Sequence, residues 1–173
     1  MLLQVLTHIL RGTPVWVFPL FLGLIALGYL QSKPRDLPPA RLAILPVVLA
    51  AISLSRVLSA FGVEPLALTA WVAGTAVALL LNTRLKQPAG ARWSAASGTF
   101  HVPGSWVPMV LIMAVFFARY ALAVSLAMKP EFVHSAGFAS AAGFGFGLLS
   151  GMFMARAWWV WSQRSTQVVP VFS

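Results

Sequence analysis

The stretch SAGFASAAGFGFGLLSGMFMARAWWVWSQR, residues 135–164, decides how the chain folds. Small residues recur at every fourth position, and aromatic, leucine and methionine side chains fill the positions between them. The small positions are Ser135, Ala139, Gly143, Gly147, Gly151 and Ala155. In a soluble helix each glycine would cost about 1 kcal/mol relative to alanine. In a bilayer the same spacing lets a neighbouring backbone approach closely, so it predicts a membrane helix that packs along this small-residue stripe.

The sequence leaves the partner of the small-residue stripe open. The stripe drifts around the helix by about 40° per step, which favours a neighbouring helix that crosses it at an angle. That neighbour is either another helix of the same bundle or a helix of a second protein, in which case the chain would be a structural or assembly subunit. The residues that we expect to make the contact are Ala139, Gly143, Gly147, Gly151 and Ala155.

The whole chain has the composition of a membrane protein. Its 173 residues are 60% hydrophobic and 9% charged, with a mean hydropathy of +0.87, whereas soluble domains carry about 25% charged residues. The formal charge of +9 comes from basic residues between the apolar runs, as in cytoplasmic loops, so we do not expect a nucleic-acid partner. The chain has no cysteine, which excludes disulfides, thiolate metal sites and thiol redox chemistry.

The apolar runs predict an all-α polytopic membrane helix bundle with five transmembrane helices in a single integral membrane domain, residues 1–173. We expect spans at residues 14–31, 42–61, 66–82, 105–128 and 135–161. Thr13 and Pro14 are a good helix start, because a hydroxyl caps the helix and proline follows where no N–H is needed. Residues 92–102, between the third and fourth spans, form either a hairpin turning at Ser97 and Gly98 or an interfacial loop.

The distribution of charge predicts the orientation of the bundle. One end holds Lys33, Arg35, Arg41, Arg84, Lys86, Arg92 and Arg164. The other end has Arg11 and Lys129 together with Glu64 and Glu131. Because basic loops stay in the cytoplasm, we expect a multi-pass protein of the bacterial inner membrane, with its N-terminus outside and its C-terminus in the cytoplasm.

The second and fourth spans resemble each other, since each has a proline in its first turns and an arginine towards its far end. The pairs are Pro46 with Arg56 and Pro108 with Arg119. This likeness favours a parallel two-helix repeat, in which spans one and two are duplicated as spans three and four. Chance resemblance between two apolar helices is the alternative.

Arg56 and Arg119 are the charges that most need an explanation. Both are predicted about 20 Å past the cytoplasmic start of their spans, in a hydrocarbon core about 30 Å thick. An arginine at that depth is costly unless it reaches water or a partner. The chain has three acidic residues, and none of them lies inside a predicted span.

Three arrangements of these two arginines stay open. They snorkel to the outer head-group phosphates, they pair with Glu64 or Glu131 from the outer turns, or they line an outward-facing cavity that binds an anion such as a lipid phosphate or a carboxylate. Arg156 lies near the inner boundary, and we expect it to snorkel to the cytoplasmic leaflet.

Other reactive residues give no catalytic or metal site. His8 and His134 are predicted at the outer boundary and His101 at the inner one, whereas haem-binding helices place their histidines inside the span, so we expect no metal and no cofactor. Met109 and Met113 share a helix face, where methionine commonly serves as packing. The sequence shows no nucleophile with a base, no carboxylate pair and no phosphate-binding loop, and an enzyme is therefore the least favoured class.

Several short motifs along most of the chain carry a resemblance. They are TPVWV at 13–17, the run Gln31…Arg35…Arg41…Leu45-Pro46, and VPGSW at 102–106 followed by Phe116…Arg119-Tyr120. In these motifs the chain resembles a family of small multi-span bacterial inner-membrane proteins, and it is more distantly similar to CcdC-like proteins. The resemblance implies a bacterial membrane protein and no particular activity, while the CcdC likeness implies a link with cytochrome c biogenesis.

Together these observations predict a membrane protein that binds or transports a small anionic or amphipathic molecule near Arg56 and Arg119. Its expected partners are membrane lipids, and a homo-oligomer or a partner membrane protein is also compatible with the sequence. The alternative function is a structural or assembly subunit that docks partner helices through the small-residue stripe.

Overall fold

The computed structural model describes residues 15–86 and 88–166, most of them in helices. The long helices are α1 (Val17–Ser32), α2 (Pro39–Phe61), α3 (Pro65–Leu85), α4 (Val107–Met128) and α5 (Ala136–Thr166). A short 3-10 helix, Pro130–His134, joins α4 to α5. Three short strands complete the fold, namely β1 (Arg35–Leu37), β2 (Arg92–Ser94) and β3 (Thr99–Val102).

Helices α2, α3, α4 and α5 are each long and apolar enough to cross a membrane, which indicates a membrane-embedded helix bundle. They correspond to the predicted second to fifth spans. Helix α1 is apolar but has only 16 residues, or about 24 Å, whereas a span needs about 20 residues. The fifth crossing therefore stays a prediction, and the proposed helix start at Thr13 and Pro14 lies outside the described residues.

Prolines begin several of these helices, as expected from a residue that lacks an N–H and fixes φ. Pro39 and Pro65 are the first residues of α2 and α3, and Pro108 lies in the first turn of α4. Helix α2 is capped by Gly62, whose φ of +68° is costly for a residue with a side chain. The Gly62 N–H donates to the Leu58 carbonyl at 2.9 Å. The chain thus turns sharply from α2 into α3.

The small-residue stripe of α5 packs against α3 of the same chain. A Cβ added at Gly143 would collide with the carbonyl oxygen of Ala67, and one added at Gly147 would collide with that of Trp71. From the other side, a Cβ at Gly74 of α3 would run into the α5 backbone. Only glycine permits this approach of two helix backbones.

The rest of the stripe is also turned inward. Gly151 faces Ala78 and Thr75 of α3, while Ala139 and Ala155 are 1% and 3% exposed. These contacts support the bundle-internal alternative, because the glycines of the stripe face α3 of the same chain.

Side-chain hydrogen bonds link α5 to its neighbours where the backbones are close. The Thr75 hydroxyl donates to the Gly147 carbonyl at 3.1 Å, and the Asn82 amide donates to the Ala155 carbonyl at 3.0 Å. From α2, the Ser53 hydroxyl donates to the Phe146 carbonyl at 3.1 Å. Such bonds satisfy polar groups that lipid cannot solvate.

The other principal pair is α1 with α4. A Cβ on Gly28 would lie 2.9 Å from Met109 Cγ, and the rings of Phe21 and Phe116 are 5.1 Å apart. Since α1 packs mainly on α4, and α2 and α3 pack mainly on α5, the helices of each proposed repeat unit are not each other's principal neighbours. The parallel two-helix repeat stays a prediction.

A three-stranded antiparallel sheet, in the order β1-β3-β2, covers one end of the bundle. The predicted hairpin at 92–102 is confirmed, and Gly98, with a φ of +63°, donates its N–H to the Ser94 carbonyl at 2.9 Å in the turn. Strand β1 was not predicted, so the helical fold carries one small sheet that the all-α prediction omitted. Phe100 of β3 is fully buried beneath it, against Leu42 and Val160.

Candidate functional site

Arg56 and Arg119 line the same small cavity, enclosed by α2, α4 and α5. The cavity has a volume of about 100 Å³. Its wall is mostly apolar, with Ser53 and Ser150 as the other polar residues. The structure thus brings together the two arginines that the sequence singled out on different helices.

None of the residues that line this cavity is acidic. Arg56 is exposed and Arg119 is partly buried. Within the described part of the chain, the one contact of a carboxylate with a basic side chain joins Asp36 Oδ1 to His101 Nδ1, at 2.9 Å on the sheet. The alternative in which Glu64 or Glu131 folds back to pair with the arginines is therefore wrong.

The two serines of the cavity wall already donate to the helix backbone. Ser53 donates to the Phe146 carbonyl at 3.1 Å and accepts the indole N–H of Trp71 at 3.1 Å. Ser150 donates to the same carbonyl at 2.8 Å. The guanidinium groups are consequently the strongest donors that this cavity offers to a ligand.

The volume of the cavity limits what it can hold. A space of this size accommodates a few water molecules or one small oxyanion. Arginine is well suited to an oxyanion because its planar fork of N–H groups matches the oxygens of a phosphate or a carboxylate.

A larger cavity of about 530 Å³ lies next to the first, on the side of the sheet. Phe153 of α5 lines both cavities. Three arginines, Arg35, Arg41 and Arg156, contribute to the wall of the larger one. We call this larger cavity the sheet-side chamber.

The structure differs from the sequence prediction at Arg156. It was expected to snorkel to the cytoplasmic leaflet, yet it is only 8% exposed, and its Nη1 has no hydrogen-bond partner among the described residues. The signal for a site was the same as for Arg56, namely an arginine in an apolar helix with no acid within a turn. Its burial could not be foreseen, because it depends on how α5 packs against its neighbours.

The two described histidines lie on different elements and form no common site. His101 is held by Asp36 on the sheet, and His134 ends the 3-10 helix between α4 and α5, while His8 lies outside the described residues. Across residues 15–86 and 88–166, no group of three His, Asp or Glu side chains is placed to hold a metal ion.

Residues 2–165 match the model of a family described as a family of unknown function, DUF6622. No curated protein and no solved structure matches the chain. The matched region contains all the strands, both cavities and every arginine that lines them. The chain therefore belongs to the DUF6622 family.

Proposed function

We propose that the protein is a five-span inner-membrane protein that binds a small oxyanion, a phosphate or a carboxylate, between Arg56 and Arg119. The observation that carries this proposal is the shared cavity of about 100 Å³, which has two arginines and no acid in its wall. The distant CcdC likeness adds no residue to this site.

Electrostatics favours an anion from outside the chain. The two guanidinium groups line the same cavity, so their like charges repel each other, and in a medium of low polarity such repulsion is weakly screened. Of the three acids in the chain, Asp36 is held by His101 on the sheet. An oxyanion placed between the arginines would replace their mutual repulsion with two charge-assisted hydrogen-bonding partners.

The position of the site along the helices supports access from the outer side. We propose that the basic, sheet-bearing end faces the cytoplasm, with the N-terminus outside and the C-terminus inside. Arg56 then lies about 26 Å along α2 from Pro39, and Arg119 about 18 Å along α4 from Val107. Both distances fall in the outer half of a core about 30 Å thick. Head groups of the outer leaflet are therefore the nearest source of the anion.

The experiment compares a double variant with a charge-matched control. Arg56→Gln/Arg119→Gln removes the site, whereas Arg84→Gln/Arg92→Gln removes two exposed arginines that line neither cavity. In a neutral detergent, inorganic phosphate should raise the melting temperature of the wild type and the control, because a ligand that binds the folded state stabilises it. The double variant should show a smaller shift than the control.

Native mass spectrometry shows whether the bound anion is a lipid head group or a free anion. If the anion is a lipid head group, the double variant should retain fewer phosphatidylglycerol molecules than the control, and phosphatidylcholine should show no such difference. Equal phosphate shifts and equal phosphatidylglycerol retention in the double variant and the control would contradict the proposal.

A further inference from the structure

The sheet-side chamber is large enough for a molecule with an apolar tail. Its volume of about 530 Å³ falls in the range of about 300–1,000 Å³ typical of small-molecule sites. Most of its wall is apolar, including Ile44, Pro46 and Val48 of α2 and Val160 of α5. The chamber is therefore a different kind of site from the small cavity beyond Phe153.

Arg156 is the most unusual group in the wall of the chamber. Its side chain is 8% exposed, and Nη1 lacks a hydrogen-bond partner within the described residues. Burying an ionised group without a partner is energetically unfavourable. A protein that keeps such a group in a cavity wall either bears this cost or recovers it when a ligand binds.

Arg35 is in a similar position on the other side of the chamber. Its Nε is buried without a hydrogen-bond partner in the part of the chain that the structure describes, while its Nη2 donates to Gln31 Oε1 at 3.4 Å. Burial lowers the pKa of its guanidinium below the ordinary arginine value. Arginine nevertheless stays charged in proteins, so Arg35 and Arg156 repel each other across the chamber.

No carboxylate of the chain offsets these charges. None of the residues that line the chamber is acidic. Asp36 follows Arg35 in β1 and pairs with His101, while Glu64 precedes α3 and Glu131 lies in the 3-10 helix, both at the opposite end of the bundle. A ligand with an anionic group would supply the missing counter-charge.

The polar residues gather at one end of the chamber. Gln31 and Arg35 border the sheet, Arg41 lies in the first turn of α2, and Arg156 lies in the last third of α5. The apolar wall continues along α2 to Val48 and along α5 to Phe153. A charged end and an apolar wall match a molecule with an anionic head and a hydrocarbon tail.

We propose that the sheet-side chamber binds a single-chain anionic amphiphile, with its oxyanion head at Arg35, Arg41 and Arg156 and its acyl chain directed towards Phe153. This site is separate from the one between Arg56 and Arg119, and it does not depend on that site being occupied.

The probes of this test separate the contribution of the anionic head group to binding from that of the acyl chain. In dodecyl maltoside the protein already meets a neutral amphiphile with a twelve-carbon chain, and inorganic phosphate supplies the charge without a chain. Dodecyl phosphate, which has both, should raise the melting temperature at concentrations at least tenfold lower than inorganic phosphate requires. Dodecanoate shows whether a carboxylate head is accepted in place of a phosphate.

Two variants change the chamber in different ways. Arg156→Met removes the charge while keeping a long side chain, and it should weaken dodecyl phosphate binding about tenfold to a hundredfold. Ala157→Phe keeps every charge but fills part of the chamber, and it should weaken binding by excluding the chain. Arg84→Met, at an exposed site outside the chamber, should bind as the wild type does.

The ligand-free protein gives an independent readout. Removing a buried charge that has no partner relieves its desolvation cost, so Arg156→Met should melt at or above the wild-type temperature without ligand. A residue with a purely structural role would lower that temperature instead. A decrease in ligand-free stability together with unchanged dodecyl phosphate affinity would overturn the proposal.

The two sites are distinguished by measuring dodecyl phosphate binding in the variants of each site. Arg56→Gln/Arg119→Gln should bind dodecyl phosphate with wild-type affinity if the amphiphile occupies the sheet-side chamber. Loss of binding in that double variant, with full binding in Arg156→Met, would place the amphiphile at the small cavity and refute the assignment.

Discussion

The positions of two arginines could be predicted from the sequence, whereas the burial of a third could not. Arg56 and Arg119 stand out because each interrupts an apolar run and none of the three acids lies in a predicted span, and the structure brings both to one cavity. Arg156 looked like a snorkelling residue, because its position near a helix end is visible in the sequence. The face of α5 that it occupies is fixed by packing, which single-residue reasoning does not reveal.

A substitution at a single residue, Gly147, tests the close contact of α5 with α3. The variant Gly147→Ala puts a methyl group against the Trp71 carbonyl oxygen, and overpacking of this kind costs about 1–3 kcal/mol. We expect a clear decrease in melting temperature in detergent. Gly145→Ala is the matched control, since a Cβ there meets nothing within 4 Å. Equal melting temperatures for the two variants would contradict the packing described for this pair of helices.

The helices were predictable as elements because long apolar runs and prolines mark them in the sequence. The strands were less predictable than the helices. The hairpin of β2 and β3 is local and has a glycine in its turn, whereas β1 has three residues, too few to show an alternating pattern. It pairs with β3, where Asp36 lies opposite His101, and a contact so distant in sequence leaves no local signal. The sheet-side chamber was missed for this reason, because β1 carries Arg35 to it.

Phe100 tests how the sheet is held on the bundle. It is fully buried, and its ring lies 4.6 Å from that of Trp93, so Phe100→Ala should cost about 3–5 kcal/mol of stability. Limited trypsin digestion should then cut faster at Arg92, the first residue of β2, and at Lys86, which precedes β2 in the chain. Phe144→Ala, at an α5 residue that is 39% exposed, is the control and should digest as the wild type does. Unchanged digestion of Phe100→Ala would show that the sheet is held by other contacts.

Both proposed sites depend on one arrangement of the whole molecule in the membrane. The basic sheet end and the turn between α2 and α3 lie at opposite ends of the bundle, with the two cavities between them on either side of Phe153. The composition of the chain predicts this embedding well, because no other environment accommodates so much apolar surface. The number of crossings is harder to predict, since α1 has 16 residues and lies below the usual length of a span.

The absence of cysteine makes this arrangement directly measurable by single-cysteine labelling. Val63→Cys places a thiol at an 80% exposed position in the α2–α3 turn, and Ser97→Cys places one in the exposed hairpin turn. In right-side-out bacterial spheroplasts, a membrane-impermeant maleimide should label the cysteine at 63, and it should label the cysteine at 97 only after the membrane is broken. Labelling of both positions from the outside, or the reverse pattern, would contradict the proposed membrane arrangement.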